Sequence, residues 1–298
     1  MNLAFVIYKI NLMKKIKTFI ELTRLNKPTG YMLLFWPSLW GLTLAYNQNY
    51  NTEKYLIYIL YFFLGSVLMR SAGCIVNDVV DKNFDQKVKR TKDRPIASKK
   101  ISLPMAIIYI LFLCIFAFLI LIQFNFLTIV LGILSMPFAF IYPYMKRITY
   151  WPQLFLGITF NFGIIMGWAS LNNSLSIEPM LLYFMAIFWT LGYDTIYGYQ
   201  DIYDDEIIGV KSTSIKFKNN PKIFIGTCYL ISIILLIFLS LTMMNKQIYL
   251  FLLTFPLFHF LYQLIKLDIK NPDNCLKIFK SNNLFGLIIF LTITSFRI

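Results

Sequence analysis

The chain has 298 residues, of which 58% are hydrophobic, 18% aromatic and only 14% charged, with a mean hydropathy of +0.65. Soluble domains carry about 25% charged residues, so the composition excludes an ordinary soluble domain. The net charge of +14 is a positive-inside bias aided by anionic lipid, and it implies no nucleic acid partner.

In chain order, the first element is a basic lead-in with Lys9, Lys14, Lys15, Lys17, Arg24 and Lys27. No small-residue cleavage site follows it, so it reads as a cytoplasmic or interfacial segment and not as a signal peptide. Nine apolar runs then approach or reach the roughly 20 residues that cross a bilayer. They are 29–46, 55–76, 103–122, 126–144, 152–171, 179–200, 221–243, 248–266 and 284–297, the first containing Pro37 and the last being short.

Basic residues test that count, because positive charge collects on the cytoplasmic side. Nine spans place 24 Lys and Arg on the side of the N-terminus and three, Lys54, Lys246 and Arg297, on the other; Arg70 alone falls inside a span. The expected fold is an all-α membrane protein with nine transmembrane helices, one domain over 1–298 and a cytoplasmic N-terminus. The four cysteines show no metal or disulfide spacing, and His259 reads as a packed residue.

Two polar stretches, 77–102 and 201–220, each follow a span and each begin with acids. Nine of the 14 carboxylates lie in or near Asn77-Asp78-Val-Val-Asp81-Lys-Asn-Phe-Asp85 and Gln200-Asp201-Ile-Tyr-Asp204-Asp205. Asp81 with Asp85, and Asp201 with Asp205, have i, i+4 spacing, which on a helix stacks both carboxylates on one face. Such pairs repel unless a cation lies between them, and Mg²⁺ prefers oxygen ligands, binding through one or two carboxylates plus phosphate oxygens and water. Asp81 and Asp201 are 120 positions apart, as two helix–loop units facing across a cavity would be.

Asn77, Asp81 and Asp85 extend one stripe, with Arg70 two turns back, and an arginine inside a span needs a partner. Asp194, Tyr197, Asp201 and Asp205 share a face in the same way. Two carboxylate pairs could hold Mg²⁺, with Arg70, Arg94 and Lys211 neutralising a diphosphate leaving group. Asp204 and Glu206 read as a solvated face. The bland alternative is that the four central aspartates are only salt-bridged to nearby lysines. A cation-coupled secondary transporter would place its acids near the bilayer midplane, whereas these lie at span ends.

At these residues the sequence resembles the UbiA superfamily of intramembrane aromatic prenyltransferases, most nearly the 4-hydroxybenzoate polyprenyltransferases of ubiquinone synthesis. The resemblance runs from Arg24-Leu-Asn-Lys27-Pro28-Thr-Gly30 through Arg70-Ser-Ala-Gly73-Cys74 and the first acidic cluster to Arg90-Thr-Lys-Asp93-Arg94-Pro95. It continues in Tyr142-Pro143-Tyr-Met-Lys146-Arg147, Tyr193-Asp194-Thr195-Ile-Tyr197 and Asp201 through Gly209-Val-Lys211-Ser212-Thr213. It implies helices around a central cavity, a cytoplasmic-side active site, and Mg²⁺ with a polyprenyl diphosphate held by Asn77, Asp81 and Asp85 on one side and Asp201 and Asp205 on the other. Arg147 takes the place of the residue that receives the acceptor's carboxylate, the acceptor being 4-hydroxybenzoate. The same fold admits another acceptor, such as haem, a naphthoate or a chlorin. The expected location is a bacterial inner membrane in preference to a mitochondrial one.

Overall fold

The structure is a computed structural model, and it describes residues 3–47, 51–242 and 246–295. Its described residues form helices and connecting turns with no strand. In chain order the helices are α1 (Leu3–Thr23), α2 (Pro28–Ala45), α3 (Thr52–Val80), α4 (Lys82–Asp85), α5 (Leu103–Leu121), α6 (Phe126–Ile148), α7 (Pro152–Phe160) and α8 (Phe162–Asn172). They continue as α9 (Ile177–Gly198), a 3₁₀ turn at Tyr199–Asp201, α10 (Ile202–Ile208), α11 (Thr213–Lys216), α12 (Pro221–Leu241), α13 (Lys246–Leu252), α14 (Thr254–Lys266) and α15 (Pro272–Thr294).

Seven of the starts have a local cause in proline or asparagine. Prolines occupy the first turns of α2, α5, α7, α12 and α15, where the missing N–H costs nothing. Asn51, Asn125 and Asn271 cap α3, α6 and α15 by accepting from backbone N–H groups.

Among the described residues, seven segments are long and apolar enough to cross a membrane: Thr52–Val80, Leu103–Leu121, Phe126–Ile148, Pro152–Asn172, Pro221–Leu241, Ile248–Lys266 and Pro272–Thr294. The other two predicted spans, 29–46 and 179–200, coincide with α2 and α9. Nine is therefore an approximate count. The outer face of α5 exposes Ile107, Ile108, Phe112 and Ile115, as a surface solvated by lipid does.

Several boundaries differ from the sequence reading. The span at 152–171 is broken at Asn161, whose side-chain amide donates to the Gly157 carbonyl (2.7 Å), the Ala186 carbonyl (3.1 Å) and Thr190 Oγ1 (2.8 Å). Away from water a helix break persists only where such groups satisfy the freed backbone. The predicted last span begins 12 residues early, at Pro272. Helix α6 runs on to Ile148, so Lys146 and Arg147 lie in its last turn and not in a loop; cations there oppose the negative end of the helix dipole.

Helices α2 and α8 pack almost backbone to backbone. A Cβ on Gly41 would lie 2.0 Å from the Ile164 carbonyl oxygen, and one on Gly167 2.4 Å from that of Ser38. Small residues allow this approach, which supplies dispersion contacts where no hydrophobic effect acts between helices. On the other side, α9, α12, α14 and α15 share a buried polar chain. Trp189 and Gln263 both donate to Asn282 Oδ1 (2.8 and 3.0 Å), and Tyr229 donates to Gln263 Oε1 (2.7 Å). His259 bonds the Gln263 amide at 3.1 Å and the Ser281 carbonyl at 3.1 Å, consistent with a packed and satisfied residue.

Beside the α2–α8 contact lies a cavity of about 570 Å³, bounded by α2, α3, α5, α6, α7 and α8. It is lined from α3 by Tyr61, Met69, Arg70 and Asn77, from α5 by Leu111 and Phe118, from α6 by Ile133 and Tyr142, and from α7 by Phe160. Phe124, packed against Tyr58 and Phe62 at centroid distances of 4.7 Å each, closes the end remote from Asn77.

Candidate active site

The first acidic cluster forms where α3 stops. Asp81 follows its last residue with φ −92° and ψ 4°, and α4 carries the chain on to Asp85. The predicted single helical stripe is thus two helices joined at Asp81. The backbone bonds from Asp81 N–H to Asn77 and from Asp85 N–H to Asp81, both 2.8 Å, keep Asn77, Asp81 and Asp85 roughly in line. The second pair is likewise not on one helix, because Asp201 ends the 3₁₀ turn and Asp205 lies in α10. Asp194 and Tyr197 belong to the preceding helix, α9.

Basic side chains bring the two clusters together. Lys146 Nζ donates to Asp81 Oδ2 at 2.5 Å and lies within electrostatic reach of Asp205. Arg90, in the loop after α4, donates through Nε to Asp201 Oδ1 at 2.7 Å and reaches Oδ2 through Nη2. Arg94 Nη1 donates to Asp85 Oδ2 at 2.8 Å and to Asp78 Oδ1 at 3.2 Å, and Arg24 Nη2 donates to the same Asp78 oxygen at 2.5 Å. Asp78, Asp81, Asp85 and Asp201 are thus salt-bridged, to Arg24, Arg90, Arg94 and Lys146, whereas Asp205 makes no such bridge among the described residues. This is the bland alternative in geometry, and it also draws acids and cations to one place.

Burial sets the electrostatics. It pushes the Asp205 carboxyl up to about 6, with the neighbouring Asp201 charge adding to the rise and Lys146 and Arg90 opposing it. Asp81 is raised for the same first reason, against the pull of Lys146. Asp81 Oδ1 is buried and has no hydrogen-bond partner; Arg147 Nη2 lies 3.8 Å from it.

Of the other predicted residues, Arg70 and Asn77 line the cavity mouth together with Tyr142. The Arg70 guanidinium lies 5.3 Å from the Phe160 ring centroid, is crowded by Gly30, where a Cβ would sit 2.9 Å from Nε, and interacts electrostatically with Asp194. Tyr197 packs against Phe279 with the rings tilted at 46° and centroids 4.6 Å apart, and it faces Arg90. Arg147 donates to the Val80 carbonyl at 2.7 Å and covers Phe84 at 5.1 Å. Lys211 is directed to the Ile148 carbonyl at 3.2 Å, beside Tyr150, and not to the aspartates.

Sequence reasoning gave no role to Arg24, Asp78, Arg90 or Lys146. The signal was present: all four fall inside the quoted resembling segments, and Lys146 adjoins Arg147. Among the described residues, no group of three or more His, Cys, Asp or Glu forms a metal cage by itself. The donor set still fits Mg²⁺, which uses few protein ligands: Asp81 and Asp85 lie within electrostatic reach of one another, and Asp81 Oδ1 is buried without a hydrogen-bond partner.

This architecture, a lipid-exposed helical bundle with acids and arginines gathered beyond the Asn77 end of an apolar cavity, is that of an intramembrane prenyltransferase. A model of the UbiA prenyltransferase family matches residues 34–289, and the chain belongs to that family. It is 40% identical over 289 residues to the mitochondrial 4-hydroxybenzoate polyprenyltransferase of Bos taurus, covering 94% of this chain and 75% of that one. It is 38% identical over 275 residues to the 4-hydroxybenzoate octaprenyltransferase of Vibrio atlanticus, covering 92% and 95%. Among solved structures, a UbiA homolog from Aeropyrum pernix aligns with a TM-score of 0.72 at 19% identity, covering 89% of this chain and 97% of that one. A UbiA homolog from Archaeoglobus fulgidus bound to GPP and Mg²⁺ aligns at 0.71 and 14%, covering 93% and 99%. At these identities the structural likeness is one of fold.

Proposed function

We propose that this membrane protein transfers a polyprenyl group from a polyprenyl diphosphate to a ring carbon of 4-hydroxybenzoate, a step of ubiquinone synthesis, with Mg²⁺ as cofactor. The observation that carries the proposal is the gathering of both acidic clusters with their arginines and Lys146 next to Asn77, which lines the 570 Å³ apolar cavity. The names of relatives at about 40% identity support this choice of substrates.

Asn77, Asp81 and Asp85 on one side and Asp201 and Asp205 on the other are the candidate metal ligands. Bound there, Mg²⁺ would supply Lewis-acid stabilisation of the departing diphosphate. Arg90, Arg94 and Lys146 are placed to offer charge-assisted hydrogen bonds to its oxygens. The allylic C–O bond breaks with its electron pair leaving on diphosphate. The resulting cation lies in a cavity lined by Tyr61, Phe118, Phe140, Tyr142 and Phe160, where aromatic faces stabilise it and water is excluded. The acceptor's ring carbon then attacks and loses a proton. Arg147 is the proposed partner of the acceptor's carboxylate, with Arg70, Asp194 and Tyr197 on the cavity side of the ring. The proposed setting is a bacterial inner membrane with the cavity mouth towards the cytoplasm.

Membranes containing the protein, incubated with 4-hydroxybenzoate, Mg²⁺ and prenyl diphosphates of several lengths, should yield a C-prenylated acid by mass spectrometry. Loss of product with a chelator is expected too. Product with a naphthoate, haem or chlorin acceptor but none with 4-hydroxybenzoate would overturn the assignment of acceptor.

A further inference from the structure

Most helical glycines of this chain stand against a neighbouring helix. A Cβ on Gly192 would lie 2.4 Å from the Tyr229 ring, and one on Gly286 2.3 Å from that of Trp36. Gly65 and Gly73, both inside α3, are different: no atom lies within 4 Å of where a Cβ would stand on either, and neither has a positive φ. Glycine inside a helix lowers its stability relative to alanine, so neither packing nor backbone conformation accounts for these two. Both line the cavity, and what the missing side chains leave there is room.

The cavity runs along α3 from Asn77, beside the first acidic cluster, to Phe62. These residues are 15 positions apart, about 22 Å at the rise of a helix. Its far end is a floor of rings. Phe124, in the turn between α5 and α6, is 8% exposed and packs on Tyr58, Phe62 and Tyr61 at centroid distances of 4.7, 4.7 and 5.9 Å. At about 30 Å³ per carbon-sized group, the liquid share of a water molecule, 570 Å³ holds on the order of 19 such groups. That is nearly four five-carbon units.

Attraction does not choose among tails here. Lipid is as apolar as a leucine-lined wall, so a tail gains little by moving from bilayer to cavity. Close-packed rings do resist the insertion of extra carbons. Length is therefore read sterically, by where the room ends.

We infer that the Phe124 floor sets the length of the isoprenoid donor, admitting tails of up to about four five-carbon units, and that Gly65 and Gly73 keep the path open, in the prenyl diphosphate reading on which this rests. Gly73 is four positions from Asn77, level with the first unit. Gly65 is 12 positions from it, about 18 Å, level with the last.

The full chain in membranes is assayed for kcat/KM with two-, four- and six-unit prenyl diphosphates, 4-hydroxybenzoate and Mg²⁺, with the thermal midpoint measured alongside. Wild type should lose about tenfold or more between four and six units, as overpacking requires. Gly65→Leu should impose a loss of that size on the four-unit donor and spare the two-unit one, whereas Gly73→Leu should impair all three. Neither should lower the thermal midpoint, since the first added atom meets no other. Phe124→Ala should bring the six-unit donor level with the four-unit one; should that variant not fold, Gly65→Leu carries the test. A wild type indifferent to length, or a Gly65→Leu variant that impairs all three donors equally, would overturn the inference. Should no aromatic acid be prenylated, the proposed function fails, and the length limit is read instead from Cys114, which lines the same cavity. Protection of that thiol from an apolar maleimide by the four-unit diphosphate, lost in Gly65→Leu while the two-unit one still binds, supports the limit; equal protection in both proteins overturns it.

Discussion

Replacing Asp81 by Asn removes one negative charge while keeping size and a hydrogen-bonding oxygen. Its carboxylate is 7% exposed, pairs with Lys146 at 2.5 Å and keeps Oδ1 free of hydrogen bonds. Two consequences separate. For the fold, a buried ion pair that loses one partner costs about 3–5 kcal/mol. Here the Lys146 side chain is 28% exposed, and solvent screening brings the expected cost to about 1–2 kcal/mol. For the reaction, a unit charge about 4 Å from a developing opposite charge is worth about 4 kcal/mol at an effective dielectric of 20. That is about a thousandfold in rate. The assay is prenyl transfer across a Mg²⁺ titration, with the thermal midpoint in detergent measured on the same preparation. The expected result is a folded protein whose turnover falls about a thousandfold and whose Mg²⁺ requirement rises. Near-normal turnover with an unchanged Mg²⁺ requirement would refute the placement of Asp81 at the metal edge.

Other outcomes follow from the same geometry. Because burial raises Asp205 to about 6, the proton competes with the metal below that pH. The Mg²⁺ concentration for half-maximal rate should therefore rise about tenfold per unit of acidification below pH 6, as release of one proton requires; a flat response between pH 5 and 7 would exclude Asp205 as a ligand. Arg147→Ala should raise KM for the aromatic acid far more than for the prenyl diphosphate, and Arg147→Lys should recover only part, since a point charge cannot make two parallel bonds. Gly41→Ala should lower the thermal midpoint by the equivalent of about 1–3 kcal/mol, because the obstructing atom is the Ile164 backbone oxygen and cannot swing aside. Single cysteines at positions 90 and 216 in a cysteine-free variant should react with an impermeant reagent only from the cytoplasmic face, and one at 173 only from the opposite face.

The sequence by itself determined the helical membrane class, the approximate span positions and the two acidic segments. Apolar runs and the segregation of lysine and arginine are properties of composition along the chain, and the bilayer acts on composition directly. The tertiary structure decided what each charge touches. The i, i+4 spacing of Asp81 with Asp85 suggested one helix face, but α3 ends at Val80, since at the end of a span the backbone is free to turn. The partners of Asp78, Asp81 and Asp201 lie 54, 65 and 111 positions away, and no local pattern encodes such pairings. Lys211 looked like a phosphate ligand because it follows the second cluster, yet the turn through Gly209, with φ 80°, carries it to the Ile148 carbonyl. Asn161 looked like one polar residue in an apolar run; only the approach of α9, which presents Ala186 and Thr190 to its amide, makes a break in the helix tolerable there. Local sequence sets which segments are helical and enter lipid, whereas ion pairs and helix breaks depend on which distant segment supplies the missing partner.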